Sequence, residues 1–145
     1  MRRYLTLLIA LLVLLIVGCK PKEEVKRLEP SQSVAMQSVK YSEEALEQGL
    51  RDTLDFGKMR QGEIIAKKLE VKNEGQRPMV MLRHVTTCGC VSVLYDRKPV
   101  APGKSAVIEF ELDSKSLQGW QMKLMEFYFA DKGTPMKIYI EAEVE

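Results

Sequence analysis

Histidine is almost absent from this sequence, since His84 is the only one among 145 residues. The chain also has only three cysteines, so a four-coordinate zinc site built from Cys and His is disfavoured. A hydrolytic Cys–His pair is equally weakly supported, because Cys88 lies more than about 10 Å from His84 along an extended strand. Phosphate loops, HExxH helices and EF-hand loops are missing as well. We therefore predict a protein that is not an enzyme.

An excess of positive charge is also lacking. The chain has 22 basic and 20 acidic residues, and two of the basic ones, Arg2 and Arg3, precede the apolar amino-terminal run. Without these two the balance is 22 − 2 = 20 basic against 20 acidic residues. Lys67 and Lys68 have no aromatic residues interleaved with them. The sequence therefore predicts no nucleic-acid partner.

Long apolar runs are scarce too, and the one clear case covers residues 5–17, interrupted only by Thr6. Arg2 and Arg3 stand before it, which is typical of a secretory signal. Residues 4–18 fall short of the roughly twenty residues that a membrane-spanning helix needs. We predict a cleaved signal peptide at residues 1–18, with an uncleaved signal anchor as the alternative.

Cys19 closes the signal. Residues 15–19 read Leu-Ile-Val-Gly-Cys, which resembles the processing site of bacterial lipoproteins. That resemblance implies a diacylglycerol on the Cys19 sulfur, cleavage before this residue and acylation of the new amino terminus, for example with palmitate. A single chain binds a membrane only marginally, whereas two or three chains anchor a protein durably. We predict Cys19 as the lipidation site and no other cofactor that the sequence requires.

The predicted location is the bacterial cell envelope, with the protein anchored by lipid in the outer membrane and facing the periplasm. The charged run at residues 20–24 loosely resembles the surface-export signals of Bacteroidetes-type lipoproteins, so display at the cell surface is the alternative. The expected partners are the membrane, through the lipid anchor, and an unknown envelope protein.

Residues 19–51 are rich in Glu, Lys, Gln and Ser and show no sustained apolar period. This composition is typical of a flexible tether. Within it, Ser42 precedes Glu43 and Glu44 like a helix cap, and Gly49 would weaken the helix end. We predict a tether at residues 19–51 with one possible short helix at residues 42–50.

From residue 52 onward the apolar residues recur with a period of two, which is the signature of half-buried strands. The clearest sets are residues 106–112 and 136–144, and turn sequences such as Pro102-Gly103 separate the strands. The spacing predicts an all-β domain at residues 52–145. We expect an immunoglobulin-like β-sandwich of about seven antiparallel strands.

Four sequence blocks in this order resemble one bacterial family, the domain-of-unknown-function family 1573. They are residues 55–59 (DFGKM), 71–75 (VKNEG), 87–90 (TCGC) and 98–105 (KPVAPGKS). The resemblance extends over about residues 54–144. It implies an immunoglobulin-like fold, related in architecture to the ASPM, SPD-2 and hydin domains, and it implies no established activity. The family tends to have Ser before and Thr after the Cys-Gly-Cys, where this chain has Thr87 and Val91.

Several other residues have a structural explanation. Gly57 and Gly75 can supply a positive φ at a bend and at a hairpin. Trp120 is expected to be a partly buried packing residue, with exposure at a partner site as the alternative.

Cys88-Gly89-Cys90 is the motif with the widest chemical range, and three interpretations stay open. A bend at Gly89 would let the thiols close a small disulfide ring, whose strain would favour redox exchange. Two thiolates with His84 and the thioether of Met79 or Met81 would instead suit Cu(I). In an extended strand the two side chains would share one face and simply pack.

These observations together favour a lipid-anchored, non-enzymatic binding or structural module. Exposed sheet edges would be its natural docking surface. The rival hypothesis is a thiol protein that binds copper or exchanges disulfides through Cys88 and Cys90.

Overall fold

The computed structural model describes residues 36–130 and 133–145, and every structural statement below refers to these ranges. The predicted signal peptide, the lipidation site Cys19 and the tether up to residue 35 lie outside the described residues. None of the described helices combines the length and the apolar character needed to cross a bilayer.

The described residues form eight strands and one short helix. In chain order these are β1 (Gln37–Tyr41), α1 (Glu43–Glu47), β2 (Arg51–Met59), β3 (Ile64–Asn73), β4 (Met81–Thr86), β5 (Val91–Tyr95), β6 (Ser105–Asp113), β7 (Gly119–Phe129) and β8 (Met136–Val144).

The strands form two four-stranded sheets, in the order β1-β3-β6-β5 in sheet I and β2-β8-β7-β4 in sheet II. This confirms the predicted all-β sandwich. The neighbours β3·β6, β5·β6, β4·β7 and β7·β8 are antiparallel, as expected. The edge strands β1 and β2 instead run parallel to β3 and β8. The described chain thus has one strand more than the predicted seven, and two of its pairings are parallel.

Apolar and polar residues alternate strongly in β6 and β8 because one face of each strand packs between the two sheets. In β8 every second residue from Met136 to Val144 is buried, and in β6 Ile108, Phe110 and Leu112 are fully buried. Burial of each such side chain stabilises the fold by about 1.5–3 kcal/mol. Phe110 of sheet I meets Phe127 of sheet II with ring centroids 5.9 Å apart, so the aromatic residues join the two layers.

The folded domain begins earlier than the sequence indicates. Strand β1 pairs with β3, and its Val39 and Tyr41 are each 5 % exposed. Leu46 of α1 is fully buried in the same core. The prediction of a flexible tether through residue 51 is therefore wrong from Gln37 onward. A single five-residue strand that pairs with a distant parallel neighbour has too few apolar residues to show a period of its own.

Helix α1 is held by its cap and by one ion pair. The Ser42 hydroxyl accepts a hydrogen bond from the Ala45 N–H at 3.0 Å, and the helix ends before Gly49, whose φ is +85°. It is shorter than the predicted 42–50. Glu43 contacts Arg77 at 3.2 Å and thereby ties the helix to the β3–β4 connection. A backbone hydrogen bond, assisted by Arg77, lowers the pKa of the Glu43 carboxyl.

The two glycines singled out in the sequence have different roles. Gly57 has a φ of +72° at the irregularity in the pairing of β2 with β8, as predicted. Gly75 has no positive φ, so that part of the prediction is wrong. A Cβ at Gly75 would collide with the Glu43 carboxylate, so a larger residue there would require the Glu43 side chain to move.

Asn73 organises the polar corner beside Gly75. It is fully buried, and its amide nitrogen donates to the carbonyls of Arg77 and Val100, each at 2.8 Å. Its side-chain oxygen accepts from the Gly75 N–H at 3.0 Å. One side chain thus satisfies three main-chain groups, each of which would be costly to bury without a partner.

We expect Leu46→Ala to lower the free energy of unfolding by about 2–5 kcal/mol, because it removes a fully buried side chain and leaves a cavity. Ser38→Ala, at an exposed position of β1, is the matched control and should change it by less than about 0.5 kcal/mol. Urea unfolding of the two variants measures the difference. Equal stabilities would show that α1 does not belong to the folded domain.

Candidate functional site

The Cys88-Gly89-Cys90 turn lies where the chain leaves sheet II at the end of β4 and enters sheet I at the start of β5. Cys88 and Cys90 are joined by a disulfide, with their Cα atoms 5.2 Å apart. Of the three interpretations of the motif, the small disulfide ring is therefore the one that the structure contains. The thiols are not free ligands in this form.

Local hydrogen bonds hold the turn in place. The Thr86 hydroxyl donates to the Cys88 carbonyl at 2.9 Å and accepts from the Cys88 N–H at 3.1 Å. The Cys90 N–H points to the Cys88 sulfur at 3.1 Å, and the Asp113 N–H donates to the Cys90 carbonyl at 2.9 Å. The turn is thereby fixed to both β4 and the end of β6. Sequence reasoning missed Thr86, although a hydroxyl two residues before a bend is a known turn signal.

The tip of the turn is exposed to solvent. Cys90 is half-buried against the core, Cys88 is half-buried, and Gly89 is exposed. Apart from its chain neighbours Cys88 and Cys90, no atom lies within 4 Å of the place where a Gly89 Cβ would stand. The space beside the Gly89 backbone is therefore open.

The His84 ring contacts aromatic residues of β5 and β7. It pairs with the buried Phe127 across β4 and β7, and its Nδ1 lies 3.4 Å from the Tyr95 hydroxyl. The ring centroids of Tyr95 and Phe127 are 5.7 and 6.0 Å from that of His84. This aromatic cluster closes the β4–β5 side of the sandwich, so His84 has a packing role.

The other candidate copper ligands, Met79 and Met81, pack in the core. Met79 and Met81 are each 1 % exposed within the core. Within residues 36–130 and 133–145, no three His, Cys, Asp or Glu side chains are gathered in the manner of metal ligands. Binding of Cu(I) by Cys88 and Cys90 stays a prediction, and it would require the disulfide to be reduced first.

A second feature lies beside the turn, on the outer face of sheet II. Trp120 is 61 % exposed and Met122 is 50 % exposed, and both project from β7 at alternate positions. The expectation of a partly buried Trp120 is therefore wrong, and the alternative of exposure holds. Glu143 and Glu141 of β8 lie directly opposite these two residues. Exposed aromatic and methionine side chains of this kind are enriched at protein–protein contacts.

The turn and this apolar pair belong to one region of the surface. Thr87 directly precedes the Cys88-Gly89-Cys90 turn, and its N–H donates to the carbonyl of Leu124 at 3.3 Å. Leu124 follows Met122 by two positions and shares its face of β7. We call the disulfide turn, Trp120 and Met122 together the β7 site.

The chain is similar to one described family and to several solved structures. The sequence model of the family described as "Protein of unknown function (DUF1573)" matches residues 48–144. No curated protein matches the chain.

The structural similarity is to domains within larger proteins. A Porphyromonas gingivalis W83 protein of unknown function has a TM-score of 0.56 at 19 % identity, over 79 % of this chain and 50 % of that one. The family 123 glycoside hydrolase of Clostridium perfringens has a TM-score of 0.55 at 7 % identity, over 73 % and 25 %. The VesB protease of Vibrio cholerae has a TM-score of 0.51 at 15 % identity, over 66 % and 30 %. The chain thus spans half or less of their lengths, and these similarities support the fold alone.

We expect Gly89→Ala to keep the disulfide and to change the free energy of unfolding by less than about 0.5 kcal/mol, because the site has space and no positive φ. Gly57→Ala is the matched control, because the φ of +72° there should make it cost about 1–2 kcal/mol. Denaturant unfolding and a free-thiol assay measure both effects. Loss of the disulfide in Gly89→Ala would contradict this account of the turn.

Proposed function

Because the chain belongs to the DUF1573 family of proteins of unknown function, we propose its role from its own residues: a lipid-anchored envelope protein that binds a partner polypeptide at the β7 site. In this proposal the domain carries out no chemistry on its partner. The sandwich serves as a rigid support for the contact surface.

The observation that carries this proposal is the exposure of Trp120 and Met122 on the outer face of a strand. On that face β8 contributes Lys137, Tyr139, Glu141 and Glu143, so the β8 side of Trp120 and Met122 is polar. Placing a Trp and a Met in water gains no stability for the fold. Their burial against another protein would release that surface from water, and central Trp residues commonly dominate such contacts.

The location is proposed from the amino-terminal sequence. Arg2 and Arg3, the apolar run at residues 5–17 and Cys19 have the order of a lipoprotein signal. Outer-membrane attachment facing the periplasm agrees with a disulfide between Cys88 and Cys90, because disulfides persist in oxidising compartments. Cell-surface display remains compatible with the same residues.

To test this function, a photo-crosslinking amino acid is placed at position 120 of the full chain in living bacteria, and at position 92 as the control. Ser92 is also exposed, but it lies on sheet I. We expect one defined adduct from position 120, recovered with the membranes, and none from position 92. In a second arm, Cys19→Ser should release the protein from the membranes. Equal labelling at both positions, or unchanged membrane attachment of Cys19→Ser, would contradict the corresponding half of the proposal.

A second candidate function is thiol–disulfide exchange at Cys88 and Cys90, and the open Gly89 side of the ring favours it. A thiolate of a client dithiol would attack one sulfur, breaking the Cys88–Cys90 bond and forming a mixed disulfide. The second client thiolate would then displace that sulfur. The client becomes oxidised to its disulfide, and Cys88 and Cys90 take up the two electrons and protons as thiols.

For this candidate we expect Cys90→Ser to trap a mixed disulfide between Cys88 and glutathione when it is mixed with oxidised glutathione. The wild-type protein should equilibrate with glutathione buffers, and intact mass measures both products. A wild-type disulfide that stays closed in reduced glutathione would exclude the exchange function.

The fully reduced protein offers the test for copper, since binding of Cu(I) that is lost in Cys88→Ser would support the metal hypothesis instead.

A further inference from the structure

Strand β7 is longer than the neighbour that covers its edge. It runs from Gly119 to Phe129, whereas β4 pairs with it only from Phe129 to Met125. The Thr87 N–H reaches the Leu124 carbonyl at 3.3 Å, and there the chain turns away through the disulfide into β5. Among residues 36–130 and 133–145, no strand pairs with residues 119–123 on this side.

The hydrogen bonds of Leu124 show which main-chain groups face this open edge. Both its carbonyl and its N–H are directed to Thr87, at 3.3 Å and 3.4 Å. In an antiparallel pair the N–H and C=O of one residue point to the same side, and the side alternates from residue to residue. The backbone groups of Met122 and Trp120 therefore also point away from β8, toward the edge that β4 leaves uncovered.

The same two residues carry the exposed side chains. Trp120 and Met122 are 61 % and 50 % exposed, so the free edge is flanked on the outer face by two exposed apolar side chains. Such an edge is a template for an added strand, because main-chain hydrogen bonds supply affinity and alternate side chains supply specificity. The turn at Cys88–Cys90 creates this edge, because β4 ends at Thr86 and the chain turns away directly after Thr87.

The charge around the apolar pair indicates the chemistry of the occupant. Met122 lies opposite Glu141, which itself pairs with Asp55 of β2. Trp120 lies opposite Glu143 of β8, and Glu143 in turn lies opposite Lys58 of β2. Lys58 already forms an ion pair with Glu145. The outer face here is therefore acidic, which favours a partner with basic side chains.

We propose that an extended segment of a partner polypeptide adds to sheet II as a strand along residues 119–123 of β7. Its apolar side chains pack on Trp120 and Met122, and long basic side chains reach across β7 toward Glu141 and Glu143 of β8. The added strand continues the line of β4 beyond the disulfide turn. This inference rests on the proposed binding function and specifies the class of partner.

The first experiment selects peptides on the full-length protein, purified in detergent from the envelope, with a phage-displayed library of random dodecapeptides. We expect enriched peptides to alternate apolar and polar residues and to carry Lys or Arg, and we expect Trp120→Ala to abolish their binding. An absence of enriched peptides that depend on Trp120 would overturn the proposal.

The second experiment separates strand addition from side-chain contact. Met122→Pro removes the N–H that faces the open edge and leaves the pairing with β8 intact, whereas Met122→Ala removes the side chain and keeps that N–H. We expect Met122→Pro to bind the selected peptide at least about tenfold more weakly than Met122→Ala, at unchanged unfolding midpoint. If Trp120→Ala abolishes binding and the two Met122 variants bind alike, the binding function stands and strand addition falls.

Hydrogen exchange on the wild-type protein covers the case in which Met122→Pro fails to fold. The peptide should slow amide exchange at Trp120 and Met122, while Gln121 and Lys123 should already be slow because they face β8. Protection of Trp120 and Met122 that is already present in the peptide-free monomer would show that another part of the chain occupies the edge. Protection that grows with protein concentration would assign the edge to a second copy. Either result would overturn the proposal.

Discussion

The structure depends on one constraint, which is that each sheet has a single apolar face and must bury it against the other sheet. Phe110 and Phe127 meet between the layers, and both are fully buried. The side chains of a strand alternate with a period of two, so a shift of one residue would turn its apolar set toward water. The register of β6, β7 and β8 is therefore fixed by burial, and their outer faces are positioned as a consequence.

Where the chain crosses from one sheet to the other, its backbone groups lose the hydrogen bonds between strands. Side chains close to the crossing supply hydrogen bonds instead. Asn73 does this on one side by bonding the main chain of Gly75, Arg77 and Val100. Thr86 does it at the crossing from β4 to β5, next to the disulfide. Among the described residues, no buried side-chain nitrogen or oxygen lacks a partner. The buried side-chain polar groups at these connections are thus all bonded.

The surface features that suggest function are the places where these structural rules are not followed. Trp120 and Met122 occupy outer-face positions where polar residues would serve stability better, and β4 stops before it covers all of β7. Departures of this kind in otherwise consistent folds are expected at functional sites. The disulfide turn connects them physically, because it ends β4 beside the exposed pair. The proposed binding role and the alternative thiol role therefore draw on one region of the molecule.

The sequence by itself determined the sandwich class, because the period of two in β6 and β8 reports burial on one face, and it also placed the helix cap at Ser42. It could not reveal β1, whose five residues acquire their burial from a parallel neighbour thirty-two positions away, Gln37 opposite Leu69. It left Cys88 and Cys90 open between pairing, metal binding and packing, because their spacing is compatible with a bend or with an extended strand. Only the tertiary structure decided that the turn closes a disulfide, that Gly75 makes room for Glu43 and that Trp120 is exposed. The exposure of Trp120 and the contact of Gly75 with Glu43 depend on which distant segments meet, and the bend at Gly89 depends on where the chain crosses from one sheet to the other, which the neighbouring residues do not specify.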